Sequence, residues 1–186
     1  MRHAPPCLNR APAAARAARQ GSRHNGGMAV ILEKDVARGR RAFDEWRDAA
    51  ITLMREDGEI IADGTTPDAS AVTDGDAATH DARLTIAPRL PRPTMAMAVR
   101  YSLFLLERKA PGPGVEVRVA PWGAIKILDG PESDPHNLTP PDVIELEPDV
   151  WLRVATGVTT WAEEKNAGRI SAVGERDDLG WLLPLR

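Results

Sequence analysis

The final third of the chain has the clearest pattern of hydrophobic and polar positions. Apolar residues recur at helical spacing between Pro148 and Gly157. Proline suits the first turn of a helix, where its missing N–H is not needed, and glycine suits the left-handed residue that ends one. The pattern therefore predicts a helix over residues 148–156.

A second helix, a strand and an apolar end follow. Residues 160–163 have the Thr-x-x-Glu pattern of a capping box, which predicts a short helix over residues 160–167, ended by Gly168. Residues 169–173 alternate polar with small or apolar side chains, which predicts a strand. Residues 179–185 are rich in leucine and form an apolar tail.

Three further strands are predicted upstream. Residues 115–119 alternate valine with charged residues, and residues 125–127 repeat the alternation after a turn at residues 121–123. This pattern is typical of an antiparallel hairpin with one buried and one exposed face. Residues 142–147 continue the alternation and predict a third strand before the C-terminal helices.

Two helices are predicted before the strands. The hydroxyl of Thr94 can cap an apolar helix that the prolines and glycines of residues 111–114 stop. Apolar residues at three- and four-residue spacing over residues 35–54 predict an amphipathic helix, which we expect to pack on the following domain or on a second subunit. Its polar face mixes acidic and basic residues, so a membrane-surface helix is disfavoured. A mainly antiparallel sheet covered by helices is an α+β fold.

Composition divides the chain into ordered and unordered parts. The first 27 residues contain five arginines and no acidic residue, and lack the apolar residues needed to form a core, so we expect them to be disordered. Met28 offers an alternative start of translation. A nucleic-acid-binding arm or an organellar transit peptide is the less favoured interpretation of these 27 residues. Between Gly58 and Pro93 the chain predicts a flexible linker, in which Leu84, Ile86 and Leu90 are too sparse for a core. The predicted parts are a leader at 1–27, a helix at 28–57, a linker at 58–93 and a folded domain at 94–186.

Charge and cysteine content narrow the class of protein. The 186 residues have a formal net charge of -3 and a single cysteine, Cys7. One cysteine excludes an internal disulfide and a cysteine-based zinc site, which favours a reducing cytoplasm. No segment approaches the run of about twenty apolar residues that spans a membrane, and five arginines give only weak non-specific binding to nucleic acid. We therefore expect no nucleic-acid partner and no integral membrane segment.

The inventory of reactive side chains predicts no catalytic site and no metal or other cofactor. His136 is the one histidine of the folded half, and no second histidine lies at metal-binding spacing. Ser102 and Ser171 have no partner visible in the sequence. The acidic residues around Arg176 are expected to cap the terminal helical turn rather than to transfer protons; they are Glu175, Asp177 and Asp178.

The order of these motifs resembles the sterol carrier protein 2-like family, most closely its stand-alone bacterial branch found in actinobacteria. The resemblance extends over residues 94–185. It rests on Trp151-Leu152, Thr156-Gly157, Trp161-Ala162-Glu163, Gly168-Arg169-Ile170 and Gly174-Glu175. Upstream it includes Val115 to Val119, Pro121-Trp122-Gly123, Asp129-Gly130-Pro131 and Thr139-Pro140-Pro141.

The resemblance implies a lipid-binding tunnel between the sheet and the helices. A layer of this kind turns its apolar residues inward, where they form either a closed core or the wall of a cavity. The candidate cavity residues are Val117, Val119, Ile125, Ile127, Ile144, Leu146, Trp151, Trp161 and Leu182.

Two functions from different classes follow from these observations. The first is non-enzymatic binding of an acyl lipid or another apolar metabolite in the cytoplasm. The second is an interaction module, such as a homodimer, with a closed core and no ligand. A third and weaker resemblance is to the C-terminal half of mycothiol-dependent isomerases, although this sequence lacks their histidine-containing metal-binding bundle.

Overall fold

The computed structural model describes residues 30–62, 81–130 and 142–185. The predicted leader, the central part of the predicted linker and His136 lie outside the described residues. The helices are α1 (Val36–Ala62), α2 (Arg92–Lys109), α3 (Pro148–Thr156) and α4 (Trp161–Asn166), with 3₁₀ turns at Glu33–Asp35 and Gly180–Leu182 and a short helical segment at 81–85. The strands are β1 (Pro111–Val119), β2 (Gly123–Ile127), β3 (Asp142–Leu146) and β4 (Ile170–Val173).

The four strands form one sheet in the order β2-β1-β3-β4. β1 pairs antiparallel with β2, where Val117 faces Ile125, and β3 pairs antiparallel with β4. The central pairing of β1 with β3 is parallel and aligns Val117 with Ile144. The predicted α+β fold with a mainly antiparallel sheet is therefore confirmed, and the parallel pair at its centre is the exception.

Local signals place the ends of α3 and α4. Pro148 occupies the first turn of α3, and Gly157 ends the helix in the left-handed conformation with a φ of 82°. The hydroxyl of Thr160 accepts a hydrogen bond from the Glu163 N–H at 3.2 Å, and the Thr160 N–H donates to the Glu163 carboxylate at 2.6 Å. This reciprocal pair confirms the capping box predicted from the sequence.

The prediction for the start of α2 is wrong. The helix begins at Arg92, two residues before Thr94, and its N-cap Pro91 makes no side-chain capping hydrogen bond. Pro93 lies in the first turn, where its missing N–H costs nothing, so proline rather than threonine determines the start. α1 also continues beyond the predicted residue 54 to Ala62, because a single glycine in a helix costs only about 1 kcal/mol.

The core joins α1 and the residues before α2 to the sheet. α2 contacts β1, β2 and α3, and α1 packs along α2 with Phe43 and Trp46 buried. Leu84 and Ile86 are buried as well, so the expectation that they are too sparse to join a core is wrong. Their backbone carbonyls accept hydrogen bonds from arginines of the C-terminal elements, which hold this segment against the domain.

Candidate functional site

All nine candidate cavity residues are buried in one continuous hydrophobic core, and none of them is more than 5% exposed. Trp151 is fully buried on α3, and its indole N–H donates to the Ser102 hydroxyl on α2 at 2.8 Å. Ser102 in turn lies within hydrogen-bond distance of the carbonyls of Ala98 and Val99. In this conformation the inward side chains contact one another, and their role as ligand contacts stays a prediction.

Two surface depressions lie beside this core. The first, here called the tail depression, has a volume of about 520 Å³ and lies between the end of α2 and the apolar tail. Its wall consists of Leu105, Arg108, Lys109, Pro184 and Leu185. The wall thus combines an aliphatic surface with two cations and contains no acidic residue.

Hydrogen bonds fix the tail that forms one side of this depression. The Lys109 ammonium donates to the carbonyl of Leu182 at 2.7 Å, and the Leu185 N–H donates to the carbonyl of Ala155 at 2.8 Å. Arg108 lies over the ring of Phe104, with its guanidinium carbon 5.4 Å from the ring centroid. Since Leu182 and Leu185 also belong to the core, the tail separates the depression from the core residues.

The second depression, here called the turn depression, has a volume of about 390 Å³ and lies between the start of α2 and the turn that joins β1 to β2. Its wall consists of Arg92, Pro93, Ala96, Arg100, Pro121 and Trp122. The guanidinium Nε of Arg100 donates to the carbonyl of Trp122 at 3.1 Å. None of the nine candidate residues lines either depression.

A buried ion pair connects α3, α4 and the segment before α2. Arg153 and Glu164 are 3% and 0% exposed, and the Arg153 Nε donates to the Glu164 carboxylate at 2.6 Å. The Thr159 hydroxyl donates to the same carboxylate at 2.7 Å, and Arg153 also donates to the carbonyl of Ile86 at 2.9 Å. Each charge is satisfied by protein groups, so this cluster is structural.

The sequence interpretation missed this pair, although a signal existed. Glu164 follows the apolar Trp161 by three residues and therefore lies on the same face of α4. Arg153 lies among the buried residues of α3. Charged residues on the inward faces of two adjacent helices indicate a buried pair.

The acidic residues near the C-terminus have separate structural partners. Asp178 accepts a hydrogen bond from the Gly180 N–H at 2.7 Å, which confirms its expected role at the terminal helical turn. Asp177 pairs with Lys165 at 2.6 Å, and this hydrogen bond lowers the pKa of the Asp177 carboxyl. The Glu175 N–H donates to the buried carboxylate of Asp142 at 2.7 Å, and Arg176 pairs with the same group.

The described residues, 30–62, 81–130 and 142–185, contain neither a candidate metal site nor a candidate membrane span. Within these ranges no group of three or more His, Cys, Asp or Glu side chains could hold a metal ion. No helix in the same ranges is long and apolar enough to cross a membrane.

The Asp149 carboxyl lies in surroundings that disfavour its charged form. Burial raises the pKa of its carboxyl, and the negative charge of Glu147 adds to this effect. The charge of Arg153 and the nearby indole of Trp46 oppose it. The Trp46 N–H nevertheless lies outside hydrogen-bond geometry, and both it and Asp149 Oδ1 are buried without a partner.

We expect Asp149→Asn to stabilise the protein at neutral pH. A raised pKa in the folded state means that the wild type is most stable when Asp149 is protonated and loses stability as pH rises through that pKa. The variant carries no charge there, so its advantage over the wild type should grow as the pH rises above the usual aspartate pKa of about 3.9 and become constant above the raised pKa of the folded state. Urea unfolding of both proteins across this range measures the difference.

Asp177→Asn is the matched control, because the pKa of Asp177 is lowered in the folded state. Its carboxylate stabilises the protein above the unfolded pKa, so this variant should lose stability relative to the wild type as pH rises. Difference curves of the same sign for the two variants would contradict the assignment.

The part of the chain that contains the sheet matches a known protein family. A family model described as "Bacterial SCP ortholog" matches residues 91–185, just over half of the chain. The match begins one residue before α2 and ends in the apolar tail, so it contains the whole sheet, α3 and α4, and α1 lies outside it. Among curated proteins, none matches the chain.

Proposed function

Because the chain belongs to the family of bacterial sterol carrier protein orthologues, we propose that it binds an apolar ligand with an anionic head group and catalyses no reaction. The family match suggests a carrier role in general terms. The observation that carries the finer proposal is the tail depression, where aliphatic side chains and two cations line one surface. We place this activity in the cytoplasm, in agreement with the single cysteine.

The wall of the tail depression suits an amphiphile with one acyl chain. Leu105, Pro184 and Leu185 offer an aliphatic surface, and Arg108 and Lys109 offer cations for a carboxylate or phosphate. Arg108 has no carboxylate partner among the described residues. The volume of about 520 Å³ falls in the range of roughly 300–1,000 Å³ that is usual for ligand sites.

In this proposal the ligand contacts the nine core residues only after the tail has moved. Leu182 and Leu185 belong to the hydrophobic core, and the hydrogen bonds of Lys109 and Ala155 hold the tail in this position. An acyl chain would reach Trp151 after these contacts opened. We therefore propose the aliphatic wall of the depression as the first contact and the core as a second, deeper one.

The second candidate function is an interaction or dimerisation module. The complete burial of the nine inward residues favours it, because a filled core leaves no internal space for a ligand. Among the described residues the outer strands β2 and β4 each have a sheet partner on one side only, so either edge could pair with a second chain.

Calorimetric titration with dodecanoate and dodecanol separates these functions. Burial of about eight methylenes contributes about 6 kcal/mol, which association costs partly offset, so we expect dodecanoate to bind saturably with a Kd of tens of micromolar or weaker. Arg108→Gln should weaken dodecanoate binding about tenfold and leave dodecanol binding unchanged, because the alcohol has no charge.

Arg100→Gln in the turn depression is the matched control and should leave both affinities unchanged. Equal weakening of acid and alcohol by Arg108→Gln would contradict a charge contact at this residue. Absence of saturable binding by either probe, together with a dimer in native mass spectrometry, would favour the interaction module.

A further inference from the structure

The turn depression presents two arginines that have no carboxylate partner among the described residues. Arg92, Ala96 and Arg100 follow one another at four-residue spacing on α2 and therefore lie on one face, with a small alanine between the two arginine positions. Pro121 and Trp122 form the opposite wall. None of the residues that line the depression is acidic, so its charge favours an anion as the ligand.

One hydrogen bond fixes the Arg100 side chain beside the turn and leaves part of its guanidinium group free for an anion. Its Nε donates to the carbonyl of Trp122, so its terminal amino groups remain for a second partner. A guanidinium group offers parallel N–H donors that match the oxygens of a phosphate group. A phosphomonoester carries a charge of about -1.5 to -2 near neutral pH, which suits two arginines better than a single carboxylate does.

The other wall of the depression is the β1–β2 turn, which carries Trp122 and is closely packed. The Trp122 N–H donates to the carbonyl of Val119 at 2.9 Å and closes the turn. A Cβ atom added at Gly123 would lie 2.9 Å from Leu103 and 3.0 Å from Val30, so the turn packs closely on the residues beneath it. These contacts fix the backbone of the turn, and the half-buried indole of Trp122 offers a surface for a planar ring.

We propose that the turn depression binds a small phosphomonoester that carries an aromatic ring. The phosphate lies between Arg92 and Arg100, and the ring packs against Trp122. The site is independent of the tail depression, since Ala96 and Arg108 are separated by about 18 Å along the helix axis. Its aromatic wall also differs from the aliphatic wall that we propose for an acyl chain.

Calorimetric titration of the full chain with phenyl phosphate, inorganic phosphate and phenol tests this proposal. We expect saturable binding of phenyl phosphate to one site, binding of inorganic phosphate about tenfold weaker, and no measurable binding of phenol. Arg92→Gln and Arg100→Gln should each weaken phenyl phosphate binding about tenfold. Trp122→Leu should reduce its affinity to that of inorganic phosphate.

Arg41→Gln, at an exposed arginine of α1 that lines neither depression, is the control and should leave the phenyl phosphate affinity unchanged. Circular dichroism checks the fold of each variant, and the exposed Arg92 provides a test if Trp122→Leu does not fold. The proposal is overturned if phenyl phosphate does not bind saturably, if it binds no better than inorganic phosphate, or if both arginine variants bind it as the wild type does.

Discussion

Replacing Arg153 with methionine should destabilise the protein by about 3–5 kcal/mol, because it leaves the fully buried Glu164 carboxylate without its countercharge. Thr159 would remain as a neutral hydrogen-bond donor to that carboxylate. The carbonyl of Ile86 would lose its donor as well, and the segment before α2 would lose one of its attachments to the domain. The free energy of unfolding from urea denaturation measures the loss.

Glu164→Leu is the complementary single variant, and Arg153→Met with Glu164→Leu closes the cycle. The double variant should be more stable than the sum of the two single losses predicts, because it leaves no unpaired charge in the core. Ile86 and Thr159 still lose partners, so some destabilisation should remain. A loss below about 1 kcal/mol in both single variants would contradict a buried charge pair.

The sequence predicted most accurately those features that local chemistry determines. Pro148, Gly157 and the Thr160–Glu163 capping box each act within a few residues, so α3 and α4 were placed closely. The start of α2 was misplaced because Thr94 and Pro93 are both start signals, and local pattern does not rank them. Alternation identified the strands but carried no information on the direction of the β1–β3 pair.

Contacts between distant segments could not be predicted in the same way. The bond from Trp151 to Ser102 joins α3 to α2, and Arg153 reaches back to Ile86. Leu84 and Ile86 have no periodic pattern, yet both are buried and arginines of other elements donate to their carbonyls. Only the fold brings these partners together.

The candidate site could likewise be predicted only in part from local sequence pattern. Alternation predicted that residues such as Val117 and Ile144 face inward, and they are fully buried. Whether inward space is filled depends on how well side chains from several elements fit one another, which sequence pattern does not contain. Both depressions combine α2 with a distant segment, the tail or the β1–β2 turn, and the sequence pattern of α2 does not show which distant segment lies against it.

Trp151→Ala should cost about 3–5 kcal/mol of stability, because removal of a fully buried indole from a packed core leaves a cavity. Loss of the hydrogen bond to Ser102 adds to this cost. Urea unfolding monitored by circular dichroism measures it without reliance on tryptophan emission, to which four other tryptophans would still contribute in the variant.

Trp151→Phe is the matched control, since it keeps an aromatic ring in the core and removes the indole N–H. Ser102 still has the carbonyls of Ala98 and Val99 within reach, so this variant should lose clearly less stability than the alanine variant. If Trp151 instead lines a cavity that the chain opens for its ligand, the alanine variant should lose little stability and change the affinity for dodecanoate. A severe loss of stability with no change in dodecanoate affinity would confine ligand binding to the tail depression, because it would show that the indole is a packing residue alone.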